Sequence, residues 1–461
     1  MKTITILTLA LLLFITSYSQ KENYIWYFGD QAGIDFNTAP PTVLTNSAMQ
    51  SYEGTSVVCD NLGNLLFYTN GGSFSLTSYS GGIWNNDHVL MPNGDLSSTS
   101  GCNSAFQSCL IVPYPGDSNQ YYVFTNDCNE NSYTGGTRYN IVDMTLDGGN
   151  GDVTTKNVSV QANSNESMLG IQHSNETDYW VIVHENTAAV FHSILVSSTG
   201  VSNTITSAGN AFMPQYGGQL AVTSSKTKIV YTANFDVFLY DFNNTTGAIS
   251  NAINLGIGGM GAAFSSNDKF LYVYDNMNKQ LCQFDMQAAD IPASKIIIAT
   301  TSGNYGALML APDCKIYIAS GTTGYDGSLA VIENPNTPDI ACGFSENAFS
   351  LEGKKSVFGL PNCVNNFFTC SSVSVNDVSK LVSEIKISPN PVSKLSDLIS
   401  SSNLENCSFD LYDGLGRKIF ELSNITGNTI PLKGCNIPSG MYYYNITDSS
   451  GKTTKGKLLM E

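Results

Sequence analysis

Arginine is close to absent: residues 20–370 contain a single one, Arg138. The same residues hold 29 acidic and 11 basic side chains, a net charge of −18. Such a surface repels phosphate backbones and lacks the basic footprint that nucleic-acid binding needs. It equally repels anionic polysaccharides unless a cation bridges them. Past the N-terminus no segment reaches eighteen consecutive apolar residues, so no helix of the remaining chain is expected to cross a membrane. Helical periodicity is nearly missing between residues 20 and 370, which excludes an α or α/β body. Histidines number four, His88, His173, His184 and His192, and their strand positions do not converge on a three-histidine metal site. There is no CxxC and no Cys/His ligand spacing for structural zinc. His184-Glu185 lacks the second histidine of HExxH, and no GxSxG elbow occurs. No metal and no cofactor are expected.

What is present begins with Lys2 and an apolar run from Ile4 to Ile15, followed by small residues at Ser17 and Ser19. This is the layout of a secretory signal over residues 1–19, with cleavage between Ser19 and Gln20; twelve apolar-rich residues are too few to span about 30 Å of hydrocarbon. The eleven cysteines then face an oxidising compartment, where some should pair. Cys102, Cys109 and Cys128 lie near one another, as do Cys363 and Cys370, while Cys407 and Cys435 fall near the C-terminus. An odd count leaves at least one thiol free or intermolecular.

Residues 20–370 repeat a scheme: a small-residue strand, a polar turn, then a strand of aromatic and β-branched residues. Gly54–Val58, the turn Asp60–Asn64 and Leu65–Tyr68 form one copy; Gly261–Phe264, Ser265–Lys269 and Phe270–Val273 form another. Second strands start at 65, 121, 179, 229, 270 and 316. A four-stranded propeller blade needs about 40–50 residues, and blades bury their faces only against neighbours, so the array closes into a ring. Tyr24–Phe28 resembles a second strand without its first, and Ser356–Pro361 a first strand without its second. Pairing the two makes a seventh blade and closes the ring. The expected fold is all-β, a seven-bladed β-propeller over residues 20–370; a large β-sandwich is the competing architecture. The stretches Trp26–Phe36, Gly63–Gly71 and Tyr139–Met144 resemble propeller-type N-terminal regions of Bacteroidetes surface proteins, some associated with gliding motility. That resemblance implies location and architecture, not a ligand.

Residues 371–384 are Ser/Val-rich without aromatics and read as a linker. Residues 385–461 hold 7 acidic and 8 basic side chains, a change of character from the body. Four motifs follow in order: Pro389-Asn390-Pro391, a turn from Tyr412 through Gly416 and Arg417, the strand Pro438–Tyr444 with Gly440 and Tyr442, and a tail with Lys455 and Lys457. This unit resembles the type A sorting domain of type IX secretion, an immunoglobulin-like β-sandwich. The resemblance implies the type IX machinery as partner and delivery across the outer membrane, to the cell surface or the medium.

Within the body, carboxylates are abundant, but most occupy turns, where Asp bonds its own backbone. Asp147–Asp152 lacks the spacing of a calcium loop and reads as a turn. Trp26 and Trp180 sit mid-strand and belong to the core; Trp84, with His88 among polar neighbours, is a candidate for stacking on sugar. Arg138 is expected to anchor a buried carboxylate, and His184 completes the set of ligand-binding candidates. The favoured reading is a non-catalytic exported protein binding a polysaccharide or protein through a propeller face. A secreted glycoside hydrolase or polysaccharide lyase is the alternative, and the discriminating observation is whether carboxylates and aromatics converge in one funnel of the ring.

Overall fold

The computed structural model describes residues 21–365 apart from 75–78, 211–212 and 322–325, and residues 387–460 apart from 389–390, 393–396, 414–416, 433–436 and 448–452. The signal segment with Ser19 and Gln20, the linker, and the motif residues Pro389, Asn390 and Gly416 lie outside them. The chain divides into two compact units, residues 1–370 and 371–461.

The first unit is a seven-bladed β-propeller. Among the described residues it contains seven sheets in chain order, the second to seventh each built on an antiparallel meander from inner to outer strand. The inner strands of the second to seventh sheets are Ser56–Cys59, Cys109–Pro113, Ser164–Gln172, Leu220–Val222, Gly261–Phe264 and Tyr305–Leu310. Their second strands are Leu65–Thr69, Gln120–Asn126, Tyr179–Glu185, Lys228–Thr232, Phe270–Asp275 and Ile316–Ser320, within one residue of the starts read from the sequence. Each blade is sandwiched between two others, so second strands are apolar on both faces rather than alternating. Phe270–Asp275 and Ile316–Ser320 are buried at every position, whereas the outer strand Ile296–Thr300 is largely open to solvent. The turns between first and second strands repeat as well: Gly63, Glu176, Lys226, Asp268 and Cys314 all adopt positive φ at the same point. Asp60 shows how such a turn is held, its Oδ1 accepting the amides of Leu62 at 2.8 Å and Asn64 at 2.9 Å.

The first sheet has three strands, Ile25–Phe28, Ala32–Asp35 and Thr42–Leu44. Its expected inner strand, Ser356–Pro361, does not pair along Tyr24–Phe28. The chain beside them meets at one bridge, where Asp30 and Lys355 exchange backbone hydrogen bonds. The chain then crosses the hub of the ring as a strap. Ser356 bonds Asp326 of the seventh sheet, the Phe358 carbonyl accepts the Ala307 amide, and Asn362 donates to the Thr55 carbonyl of the second. Cys363 bridges Ile111 of the third sheet, and Val364–Asn365 pairs in parallel with Gly170 and Ile171 of the fourth. Glycines admit this crossing: a Cβ on Gly306 would lie 2.0 Å from the Phe358 carbonyl oxygen.

Two glutamines fill the rest of the hub. Gln107, just before the third inner strand, passes over the fourth blade to the fifth. Its Nε2 donates to the Leu220 carbonyl at 3.1 Å, and its Oε1 accepts the amides of Leu220 at 2.8 Å and Met168 at 3.2 Å. Gln219, before the fifth, repeats this toward the seventh: Nε2 donates to the Leu308 carbonyl at 2.7 Å, and Oε1 accepts from Leu308 and Ala262 at 3.1 Å each. Inner-strand amides that would otherwise face water are thereby satisfied within the protein.

The second unit is one curled five-stranded sheet. Leu398–Tyr412 pairs with Ile387–Ser388, Lys418–Ile430 and Gly440–Thr447, and Thr453–Met460 pairs with the last of these. Several bulges bend the long strands, and Val392 reaches back to bridge Met460. The two layers of the expected sandwich are thus parts of a single bent sheet. Its concave core contains Phe409, Leu411, Tyr442, Tyr444, Ile446 and Leu458.

Candidate functional site

Inner strands begin, and second strands end, at the same rim of the ring. Connections at this upper rim bring together three glutamates from three blades. Glu53 immediately precedes the second inner strand, Glu130 sits in the turn Asn129–Asn131 of the third blade, and Glu166 lies at the start of the fourth inner strand. Glu166 owes its place to a bulge: three residues, Asn165 to Ser167, stand opposite the single His184 between paired positions. Its Oε1 accepts the Asn129 amide at 2.9 Å, while Glu130 accepts the Ser104 hydroxyl at 3.0 Å. The Cys102–Cys128 disulfide joins the two loops involved. Asp127, buried, shapes the turn by accepting the amides of Cys128 at 2.9 Å and Gly135 at 2.7 Å. Cys109, the other candidate for pairing, is a buried free thiol. Among the described residues the only close group of metal-ligand types is Cys102, Cys128 and Glu130, and both sulfurs are already consumed.

Burial raises the Glu166 carboxyl to about 8; the Asn129 amide opposes the shift and the Glu130 charge adds to it. Glu53 is pushed well above the usual carboxylate range by burial first and then by Glu166 and Glu130. Neighbouring carboxylates in a desolvated place hold protons that isolated ones would lose. A carboxyl whose folded pKa is raised contributes stability fully present below about 4.5, lost as pH rises through about 8. Glu166→Gln is therefore expected to match the parent at pH 5 and exceed it at pH 9, by on the order of 1–2 kcal/mol. Thermal melts of both proteins at the two pH values check this; parallel melting curves would refute the shared-proton picture.

Aromatics flank the glutamates on the same rim. Tyr133 is buried between them and the fifth blade, its hydroxyl donating to the Gln215 carbonyl. Beside it the rings of Tyr216 and Phe235 meet edge to face at 5.8 Å and are 38% and 44% exposed. Met277, from the matching turn of the sixth blade, is also open to solvent. Asn234 and Asn276, linked by a 2.6 Å amide hydrogen bond, border this platform. On the inner side Tyr52 lies between Phe74 and the strap residue Phe358, with ring centroids at 5.7 Å and 6.0 Å.

The four residues singled out from the sequence lie elsewhere or underneath. Trp84 and His88 do come together, around Tyr68, toward the opposite rim. Trp84 is half-buried, stacked on Tyr68 at 5.7 Å and laid across Gly82. His88 contacts the Tyr68 hydroxyl at 3.0 Å and the Asn46 amide at 2.6 Å. Among the described residues Arg138 meets no carboxylate: Nε donates to the Gly135 carbonyl at 2.9 Å and Nη1 to that of Asn157 at 3.1 Å. His184 is buried beneath the Glu166 bulge, stacked on Tyr231 at 4.6 Å, and burial lowers its pKa to about 4. Trp26 and Trp180 are core, as expected. Glu53 and Glu166 were missed, although one lies shortly before an inner strand and the other at the start of one, a recurring place that the repeat itself marks.

In the second unit the described motif residues Tyr412, Tyr442, Lys455 and Lys457 lie on strands of one sheet. Tyr412 stands opposite Tyr443, and Arg417 closes its turn with a 2.7 Å bond to Asp413. Tyr442 is core and donates its hydroxyl to the Pro438 carbonyl at 2.8 Å. Residues 386–461 match the family described as the secretion system C-terminal sorting domain. The second unit is a type IX sorting domain. It marks the chain for export across the outer membrane, to the surface or the medium. No curated protein matches the chain in sequence. Solved structures similar to it include PorZ, a surface component of the type IX secretion system of Porphyromonas gingivalis, at 10% identity and a TM-score of 0.37, covering 93% of this chain and 62% of that one. The periplasmic gluconolactonase PpgL of Pseudomonas aeruginosa is 12% identical at a TM-score of 0.38, covering 78% and 96%. The β-propeller domain of Myceliophteria thermophila Cps50 is 10% identical at 0.41, covering 64% and 92%.

Proposed function

We propose that the exported propeller binds polysaccharide at its upper rim, without transforming it. The observation that carries this reading is the convergence of exposed aromatic rings, Tyr216 and Phe235, with amides and carboxylates on one face. Sugar rings offer apolar faces to aromatics and hydroxyls to polar groups, and this rim supplies both. Residues 371–384 serve as the linker to the sorting domain. On a glycan array the parent is expected to retain a neutral or amino-substituted polymer, because the acidic body disfavours uronates. Tyr216→Ala/Phe235→Ala should weaken that binding roughly tenfold, about 1.4 kcal/mol, with Trp84→Ala unchanged. Equal retention by the platform variant would remove the site from consideration.

A second reading has one observation in its favour. Glu166 keeps a proton near neutral pH beside the exposed Glu130, as a general acid paired with a carboxylate would. Released-sugar analysis on the retained glycan separates the two: product formation abolished by Glu166→Gln means hydrolysis.

A further inference from the structure

The middle tyrosine of the run Tyr442–Tyr444 is not needed by the core. Along Gly440–Thr447 burial alternates, and Tyr442, Tyr444 and Ile446 fill the concave face. Met441 and Tyr443 point the other way, 58% and 43% exposed. The neighbouring strand repeats the pattern: Leu458 and Met460 face the core, and Leu459, directly opposite Met441, is 40% exposed. The register extends this outer face across four strands, from Lys418 through Tyr412 and Tyr443 to Lys457. The next row is Glu421, Asp410 and Asn445, where Lys418 spans Asp410 at 3.1 Å and Glu421 at 3.2 Å. The outer face therefore has a polar, ion-paired end and an apolar end of Met441, Tyr443 and Leu459. Serine or threonine would serve a solvated strand equally well, and contiguous apolar exposure of this kind marks interaction surfaces.

We propose that this outer face, centred on Met441, Tyr443 and Leu459, is where the outer-membrane export machinery grips the protein. The sorting-domain match already establishes that machinery as the domain's partner. The opposite face is spent on the domain's own core, whereas Met441, Tyr443 and Leu459 stand exposed on the convex face. The partner surface that fits is an apolar strip deep enough to take Tyr443 and Met441. Charge separates the two units, the body at −18 against a domain with 8 basic and 7 acidic residues.

The test uses the full chain in a host with type IX machinery. Met441→Ser/Tyr443→Ser/Leu459→Ser is expected to cut the extracellular and surface amount at least tenfold, with protein accumulating in the periplasm. Its body should melt as the parent does, and its sorting domain should resist protease equally. Tyr443→Lys, a single change at an exposed site, guards against misfolding and should also be retained inside. Normal export of either folded variant overturns the proposal. So does a concentration-dependent dimer of the parent that the triple change dissolves without affecting export, because the face would then be a self-association surface.

Discussion

A chain lacking residues 354–365 is expected to lose cooperative unfolding of the body altogether, although it retains every strand of the seven sheets apart from the short parallel one. The reason is the strap: five blades are tied at the hub by this one segment, through backbone bonds that no other residue replaces. A single substitution reports the same feature. At Gly359 a Cβ would lie 1.8 Å from the Glu53 carbonyl oxygen and 2.1 Å from its carbon. Neither atom can move without displacing the loop that carries Glu53, and forced overpacking of this kind costs about 3 kcal/mol. Gly359→Ala should therefore melt many degrees below the parent, followed by circular dichroism, while Gly327→Ala, which meets nothing within 4 Å, serves as a positional comparison. Deleting residues 20–40, which removes most of the first sheet, should match the strap deletion. A strap deletion that kept a sharp transition at the parental temperature would mean that edge contacts between blades suffice.

Breaking the Cys102–Cys128 bond is expected to have the next largest effect. The cysteines are 26 residues apart, and closing a loop of that length restricts the unfolded chain by about 3.5 kcal/mol. Cys102→Ser/Cys128→Ser should lose close to that amount in denaturant unfolding. The variant should also be cut faster by protease between residues 129 and 135, since the bond pins the loop that displays Glu130 and Tyr133. Reduction of the parent should reproduce both changes. If stability fell by less than about 1 kcal/mol, the loop would have to be held mainly by Asp127 and its amide bonds.

The blades were legible because each is a local event. A β-rich run ending in aromatics, preceded by a turn with a residue at positive φ, recurs whenever a hairpin must be buried on both faces. That is why Leu65, Tyr179, Phe270 and Ile316 were placed within a residue from pattern alone. Ring closure was not legible in the same way. Ser356–Pro361 looks like an inner strand, and only the positions of Asp30, Thr55 and Ile111 in space turn it into a crossing segment. The candidate site was partly visible. The aromatics and carboxylates were known to be plentiful, but Glu53 and Glu166 are separated by two blades of sequence and meet because a bulge lifts one of them. Trp84 and His88 drew notice through polar neighbours in sequence, whereas their contacts in space are Tyr68 and Gly82. The sorting domain was legible because each of its motifs is a short contiguous stretch of sequence.

Gln107 and Gln219 give the ring a property that stacked repeats ordinarily lack. In a simple array each unit holds only the next, so one can detach at an end or seam while the rest survives. Here the third blade is bonded to the fifth and the fifth to the seventh, each across the blade between them. Prying one blade loose exposes amides on a blade two positions away, so small excursions are penalised almost as heavily as complete ones. For a protein delivered outside the cell, where proteases act on transient openings and no chaperone repairs them, survival then depends on the rare global event rather than on fraying.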